Sequence, residues 1–203
     1  MPFLVPALSA WCLWSEKMDT INYYMNRRTI IIGDVNSGKT SQTLTILKLF
    51  LKADLAEKIA ILDFAPDNIQ GIGGKMEPQQ DESLLYLTTS ILAPRLMGKN
   101  EFHTLKLAEK NATAIETLFV KFSQQKREIL FVNDVTLYLQ AGNFENFIKI
   151  LDTAPTQIIN AYYGHTFSDS KLTRREKNFT EELMKLCDQI IEMPFQKFGS
   201  SPN

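Results

Sequence analysis

The stretch TIIIGDVNSGKT, residues 29–40, decides how the rest of the chain is read. Its first part is a run of β-branched residues closed by glycine, the composition of a strand covered on both faces. Its second part, from Gly33 to Thr40, has the spacing G-x-x-x-x-G-K-[ST], and apolar side chains follow at helical intervals. A strand that turns sharply into a helix gathers backbone N–H groups and the positive end of the helix dipole around one point, which is where an anion is held. Glycine is needed where the chain turns and where a side chain would collide with that anion, and Gly33 and Gly38 stand at those places. Lys39 then supplies a cation for the outer phosphates, the Thr40 hydroxyl offers an oxygen ligand to Mg2+, and Ser41 reaches toward an inner phosphate. The expected nucleotide-contacting set is Gly33, Asp34, Val35, Asn36, Ser37, Gly38, Lys39, Thr40 and Ser41, with ATP and Mg2+ as the ligands.

On either side of this unit, short apolar segments alternate with helix-period segments. Residues 58–64 (KIAILDF), 128–134 (EILFVND), 157–163 (QIINAYY) and 188–193 (DQIIEM) read as further strands, and residues 84–89 (LLYLTT) as either an extra strand or a helical turn. Leu44, Leu47 and Leu51 form one helical stripe; Leu105, Ala108, Ala112, Ile115, Phe119 and Phe122 form the clearest one. Two more come from Phe144, Phe147, Ile148 and Leu151, and from Phe179, Leu183 and Leu186. The expected fold is α/β, a three-layer P-loop NTPase fold whose mostly parallel sheet has about five to six strands, with helices on both faces. Residues 65–100 make one long irregular connection, and such a segment in a compact domain is expected to be a lid or a second-ligand region.

The 203 residues include 22 Lys and Arg against 23 Asp and Glu, and no basic run is long enough to track a phosphate backbone, so nucleic acid is not an expected partner. Only Cys12 and Cys187 occur, without paired spacing, which argues against a disulfide framework or a zinc site and for a reducing cytoplasm. Residues 2–14 form an apolar stretch broken by Pro6, too short to span a bilayer and without a basic region before it. It reads as an over-called start, an ordered flap or a membrane-surface anchor, and its lack of basic residues weighs against the anchor, so no membrane association is expected. The organisation expected is an N-terminal extension over residues 1–25 and a P-loop nucleotide-binding domain over residues 26–203.

A phosphate cradle needs a carboxylate at the end of a neighbouring strand, and Asp134 is the expected one, as metal ligand and as catalytic group beside Lys39. Asn133 before it reads as a neutral, weaker partner of the metal shell. Asp63, at the end of another predicted strand, is a further metal or substrate ligand, because open α/β sheets bind at their carboxyl edge; the alternative is a turn cap. Gly71-Ile72-Gly73-Gly74-Lys75 offers backbone N–H groups and a cation to an anionic second ligand, or else is a plain surface loop. His165 is placed to sense a terminal phosphate, and Arg95, Arg174 and Arg175 are candidates for a charge on the transferred group.

From Ile129 onward the chain resembles ATP:corrinoid adenosyltransferases of the P-loop type. The resemblance is carried by Asn133-Asp134, Ala141-Gly142, Pro155, Tyr163-Gly164-His165, Glu182-Leu183, Asp188 and Ile191-Glu192-Met193, in the family's order. It implies a RecA-like sheet with a nucleotide site at Gly33 to Ser41 and Asp134 opposite. The chain departs from that family in its ordinary eight-residue loop, in Asn-Asp where the family has Asp-Glu, and in His165 where it has arginine, and these departures bear on adenosyl transfer itself. The segments LDFAP, GIGGK, YLTTSILAPR and NDVTLYLQAG also look like uncharacterised archaeal P-loop proteins.

No Asn-Lys-x-Asp or Thr-Lys-x-Asp segment follows a predicted strand, which favours ATP over GTP. The activity expected is an Mg2+-dependent ATPase or an ATP-dependent transferase with an unidentified second substrate or protein partner. An adenosyltransferase-like enzyme and a nucleotide-dependent regulatory switch are the alternatives, and a homo-oligomer is left open.

Overall fold

Ile30, Ile31 and Ile32 have no room for water on either side because both faces of their strand are covered, and the strands at residues 129–133 and 156–162 repeat this pattern. The computed structural model describes residues 20–68, 73–78 and 81–194. Six strands form a single sheet: β1 (Arg28–Gly33), β2 (Ile59–Asp63), β3 (Leu85–Thr88), β4 (Ile129–Asn133), β5 (Thr156–Tyr162) and β6 (Gln189–Glu192). Their order is β3-β2-β4-β5-β1-β6, and every pairing is parallel. The weak candidate at residues 84–89 is thus the edge strand β3, half-buried because only one side has a neighbour. The α/β reading of the sequence holds, and the sheet is wholly parallel.

The helices are α1 (Lys39–Lys52), α2 (Pro94–Met97), α3 (Glu101–Ser123), α4 (Thr136–Leu139), α5 (Phe144–Leu151) and α6 (Lys171–Lys185). Parallel neighbours cannot be joined by a tight turn, so helical crossovers cover the sheet. Alternation of side chains along each strand divides the core in two. Ile30, Ile32, Leu62, Leu130, Val132 and Ile159 face a layer that includes Ile115, Phe119 and Phe122 of α3 and Leu183 of α6. Ile31, Ile61, Phe131 and Ile158 face Ile46, Leu47 and Phe50 of α1, where the Phe50 and Phe131 rings meet edge to face at 5.7 Å. Tyr24, within the segment expected as an extension, is fully buried in this second layer.

Two helical stripes differ from their sequence reading. In α1 the buried positions are Thr43, Ile46, Leu47 and Phe50, while Leu44 and Leu51 sit at the margin. In α3 the stripe starts at Leu107, leaving Phe102 and Leu105 exposed where the helix runs past the sheet. Asn100 caps α3 by accepting from the His103 N–H, and Ser170 caps α6 in the same way from Thr173. No helix among the described residues is long and apolar enough to cross a membrane.

β1 has β5 and β6 as neighbours, so its connection through α1 to β2 passes over two strands. Gly33 lies level with Tyr162, and Asp63 lies level with Asn133 and Thr88. The carboxyl ends of β1, β5, β4 and β2 therefore form one continuous edge, the place where ligands bind in open parallel sheets.

Candidate functional site

At that edge β1 ends in Gly33 and the chain loops over to α1. A Cβ on Gly33 would stand 2.5 Å from Ser37 Oγ and 3.0 Å from Met193 Cβ, so only glycine lets the loop fold back this closely. Gly38 has a φ of 89° and forms the N-cap of α1, a left-handed conformation that other side chains resist. The first N–H groups of α1 have no partner four residues back and point out of the helix end. The Ser37 hydroxyl is buried without a hydrogen-bond partner.

Val35, Asn36, Ser37, Gly38, Lys39, Thr40 and Ser41 line a cleft of about 400 Å³ together with Asp134. Gly33 and Asp34, from the same sequence motif, are not in its lining. The Asp34 carboxylate turns the other way and accepts from its neighbour Val35 N–H at 2.7 Å, from His165 N–H at 3.0 Å and from Thr166 Oγ1 at 2.5 Å. Burial pushes its carboxyl up, but the hydrogen bonds from Thr166, His165 and Val35 outweigh it and hold the group below the usual aspartate range. Asp34 therefore anchors the β1–α1 loop to the segment after β5. A Cβ on Gly164 would come within 2.7 Å of Asp34 Cβ and 2.6 Å of Asp34 Oδ1. Gly164→Ala is expected to displace this anchor, costing about 1–3 kcal/mol in urea unfolding; an unchanged midpoint would show that Asp34 does not shape the loop.

Lys39 bends back so that Nζ donates to its own loop carbonyl, Asp34 O, at 2.6 Å. Burial pushes its ammonium below the usual lysine pKa, while the charges of Asp134 and Asp34 pull it the other way. A bound polyphosphate would add to that pull, since an anion favours the charged form.

Behind the cleft runs a chain of buried side-chain amides. Asn160 Nδ2 donates to Asn133 Oδ1 at 2.7 Å and to Thr43 Oγ1 at 3.0 Å, and its Oδ1 accepts from the Asp134 N–H at 2.7 Å. Asn133 also accepts from Thr40 Oγ1 at 3.3 Å and donates to Asp63 Oδ1 at 2.8 Å. The network fixes the turn after β4, where Asp134 adopts a φ of 55° and Val135 N–H bonds the Asn160 carbonyl at 3.0 Å. This strained turn aims the Asp134 carboxylate into the cleft. Its Oδ1 accepts from Thr136 Oγ1. Burial pushes the Asp134 carboxyl above the usual aspartate value, against the Thr136 hydrogen bond and the charges of Lys39 and Arg95.

The remaining sequence candidates fall in different places. Asn133 is fully buried and tied into the amide network, not into the cleft. Asp63 is also fully buried, and its carboxylate accepts from Ala65 N–H at 3.0 Å, Met76 N–H at 2.6 Å, Tyr86 hydroxyl at 2.7 Å and Asn133. That is an anchor for the connection after β2, and it leaves little lone-pair capacity for a metal. Lys75 lines the cleft, yet its Nζ donates to Ala65 O, Thr88 Oγ1 and Thr89 O, all within 3.1 Å, and so pins the loop to the end of β3. His165 is exposed, and what it contributes is its backbone N–H to Asp34. Gly71 and Ile72, like Cys12 and the apolar stretch at residues 2–14, lie outside the described residues.

Of the three arginine candidates, Arg95 alone lines the cleft; Arg174 pairs with Asp169, and Arg175 donates to Gly142 O at 2.7 Å. Residues that sequence reading passed over complete the wall: Asn160, Tyr162, Phe167, Thr136 and Gln140. Asn160 carried a legible signal, a lone amide inside an apolar strand that is covered on both faces. Gln140, Phe167 and Thr136 come from loops and a one-turn helix with no periodicity to mark them.

No protein-family model matches the chain, and no curated protein matches it. Among solved structures it is similar to a prototypical ATPase from the type III secretion system of pathogenic bacteria, at 17% identity and a TM-score of 0.38, covering 83% of this chain and 51% of that one. It is also similar to Pif1 helicase from Candida albicans, at 11% identity and a TM-score of 0.33, covering 95% of this chain and 40% of the helicase. The chain thus spans about half the length of the first protein and two fifths of the second.

Proposed function

We propose that the protein binds ATP with Mg2+ and hydrolyses it or transfers its terminal phosphoryl group to a second substrate. The observation that carries this reading is that Lys39 and the N-terminus of α1, arriving from β1, face Asp134, arriving from β4, across one cleft. The cradle suits a triphosphate: the glycine positions leave space at the loop, the Ser37 hydroxyl is buried and unpartnered, and a cation stands at the mouth of the helix.

Lys39 leaves its own loop carbonyl for the outer phosphates and neutralises the charge that grows there as the terminal P–O bond breaks. The helix N-terminus holds the inner phosphates in line. Mg2+, when bound, would supply further charge neutralisation, and Thr40 and Asp134 are the residues that would hold it. Asp134 also orients the attacking water or acceptor hydroxyl. The new O–P bond forms on the terminal phosphorus, the bond to the bridging oxygen breaks, ADP leaves, and the nucleophile's proton passes to the Asp134 carboxylate.

The test is a product assay with ATP or GTP and Mg2+, with and without reduced cobalamin, resolving ADP, phosphate and triphosphate. ADP is the expected product. Release of triphosphate only with the corrinoid would replace this reading by adenosyl transfer, and tight binding without product would replace it by a switch. Asp134→Asn is expected to leave ATP affinity within about threefold and to lower turnover by roughly 10²–10³-fold. Turnover unchanged in that variant would remove Asp134 from the chemistry.

A further inference from the structure

The wall of the cleft formed by α2, α4 and the β5–α6 connection holds a buried charged group that the proposed reaction has not used. Arg95 in α2 forms an ion pair with Glu176 of α6, with only 14% of the arginine side chain and 2% of the glutamate exposed. The guanidinium lies 4.4 Å from the centre of the Phe167 ring and 5.5 Å from that of Tyr162. The other Glu176 oxygen accepts from Gln140 Nε2 at 3.0 Å. Two polar atoms of this cluster, Arg95 Nε and Gln140 Oε1, are buried with no hydrogen-bond partner. Gln140 is 1% exposed, and Arg95, Gln140, Tyr162 and Phe167 all line the cleft shared with Lys39 and Asp134.

A buried ion pair kept only for stability is a poor arrangement, because desolvation offsets most of its attraction and an apolar pair of similar size does as well. Leaving two of its polar atoms unpaired adds a further cost. Arg95 and Gln140 both line the cleft; the unpaired Arg95 Nε is a donor that an anion would satisfy, whereas Gln140 Oε1 is an acceptor and calls for a donor instead. Burial pushes the Glu176 carboxyl up to about 7, against the charge of Arg95 and the hydrogen bonds from Gln140 and Arg95, with Asp134 adding to the rise. The rings of Phe167 and Tyr162 flank the guanidinium and supply contacts that do not depend on which acceptor its donors engage.

We propose that Arg95 reads the terminal phosphate of the bound nucleotide: Glu176, itself held by Gln140, positions the guanidinium at the cleft, and donors outside that ion pair engage the third phosphate of ATP but find nothing to bind in ADP. The proposal deepens the ATP reading and rests on it. Arg95 is a specificity-determining residue, and Glu176 is a positioning residue that competes with the phosphate for it.

The experiment measures the affinities of ADP and of the non-hydrolysable analogue AMP-PNP, with Mg2+, by calorimetry on the full chain. Wild type is expected to prefer AMP-PNP. Arg95→Gln should lose about tenfold or more of that preference through AMP-PNP alone, since a charge-assisted hydrogen bond is worth that factor, while ADP affinity stays within about twofold. Arg95→Lys, which keeps the charge without the fork, should fall between the two. Glu176→Gln should strengthen AMP-PNP binding about threefold or more and leave ADP unchanged, because a neutral amide holds the guanidinium less tightly. A preference that survives Arg95→Gln, or an equal loss for both nucleotides, would overturn the role of Arg95 and leave the nucleotide site standing. Wild type that binds neither nucleotide would overturn the site itself.

Discussion

Lys39→Ala is expected to weaken ATP binding by about 100-fold, close to 3 kcal/mol, with the fold intact. The ammonium is the only side-chain cation within the phosphate loop, and it is already desolvated, so its attraction for a phosphate is not diluted by bulk water. Its partner is a single backbone carbonyl of its own loop, Asp34 O, for which a triphosphate oxygen would substitute a full negative charge. The core does not depend on it: the buried face of α1 is Thr43, Ile46, Leu47 and Phe50, and Lys39 is not part of it. Calorimetric titration with ATP and Mg2+, paired with a urea melt, checks both halves of the expectation. Binding that survives the substitution would remove the phosphate site from residues 33–41, whatever the fate of the other groups in the cleft.

Asp63→Ala is expected to cost about 3–5 kcal/mol of stability, enough to unfold a chain of ordinary stability at modest temperature. The loss is that of one carboxylate and also of the partners of four donors: the N–H groups of Ala65 and Met76, the Tyr86 hydroxyl and the Asn133 amide. The bonds from Ala65, Met76 and Asn133 are buried, where water cannot replace the missing acceptor. Tyr86 carries the imprint of the arrangement, since burial and the neighbouring Asp63 charge together push its hydroxyl well above the usual tyrosine pKa. The sequence reading of Asp63 as a metal ligand makes a different forecast, namely normal stability without Mg2+ and a raised Mg2+ requirement for activity. Urea melts of wild type and variant in a chelator distinguish the two, and a midpoint shift corresponding to less than about 1 kcal/mol would return Asp63 to the metal.

The contrast between Asp63 and Asp134 explains what was legible. Both end apolar strands and both look from the sequence like carboxylates at the ligand edge. They differ in the path the chain takes beyond them. After Asp63 the chain stays close to the strand and returns Met76 and Lys75 to it, so the carboxylate is consumed by its own connection. After Asp134 the backbone enters a left-handed turn pinned by Asn160, and the carboxylate is delivered to the cleft. Nothing local distinguishes the two, because the deciding partners lie 13 and 26 residues away in sequence. The present partners of His165 and Lys75 were not legible locally for the same reason. His165 contributes a backbone N–H, whose direction depends on where Asp34 ends up, and the three donors of Lys75 are taken by acceptors on the rim of β2 and β3.

Residues 29–40 by themselves determined that a buried strand turns through a glycine-bounded loop into a helix, forming a cradle whose loop lines a cleft. Glycine at two positions, a lysine and a hydroxyl in fixed spacing specify backbone direction and charge without reference to the rest of the protein. The alternation of continuous apolar runs with helical stripes likewise determined the α/β class, since period and length are local properties. What only the tertiary structure decided is which distant residues face that cradle. The sheet order places β5 between β1 and β4, so Asn160 becomes the link between the loop and Asp134, and it folds the connection after β3 back so that Arg95 meets Glu176 at the same cleft. Strand order and loop return are set by which apolar faces bury each other, and that is a property of the whole core that no short stretch of sequence contains.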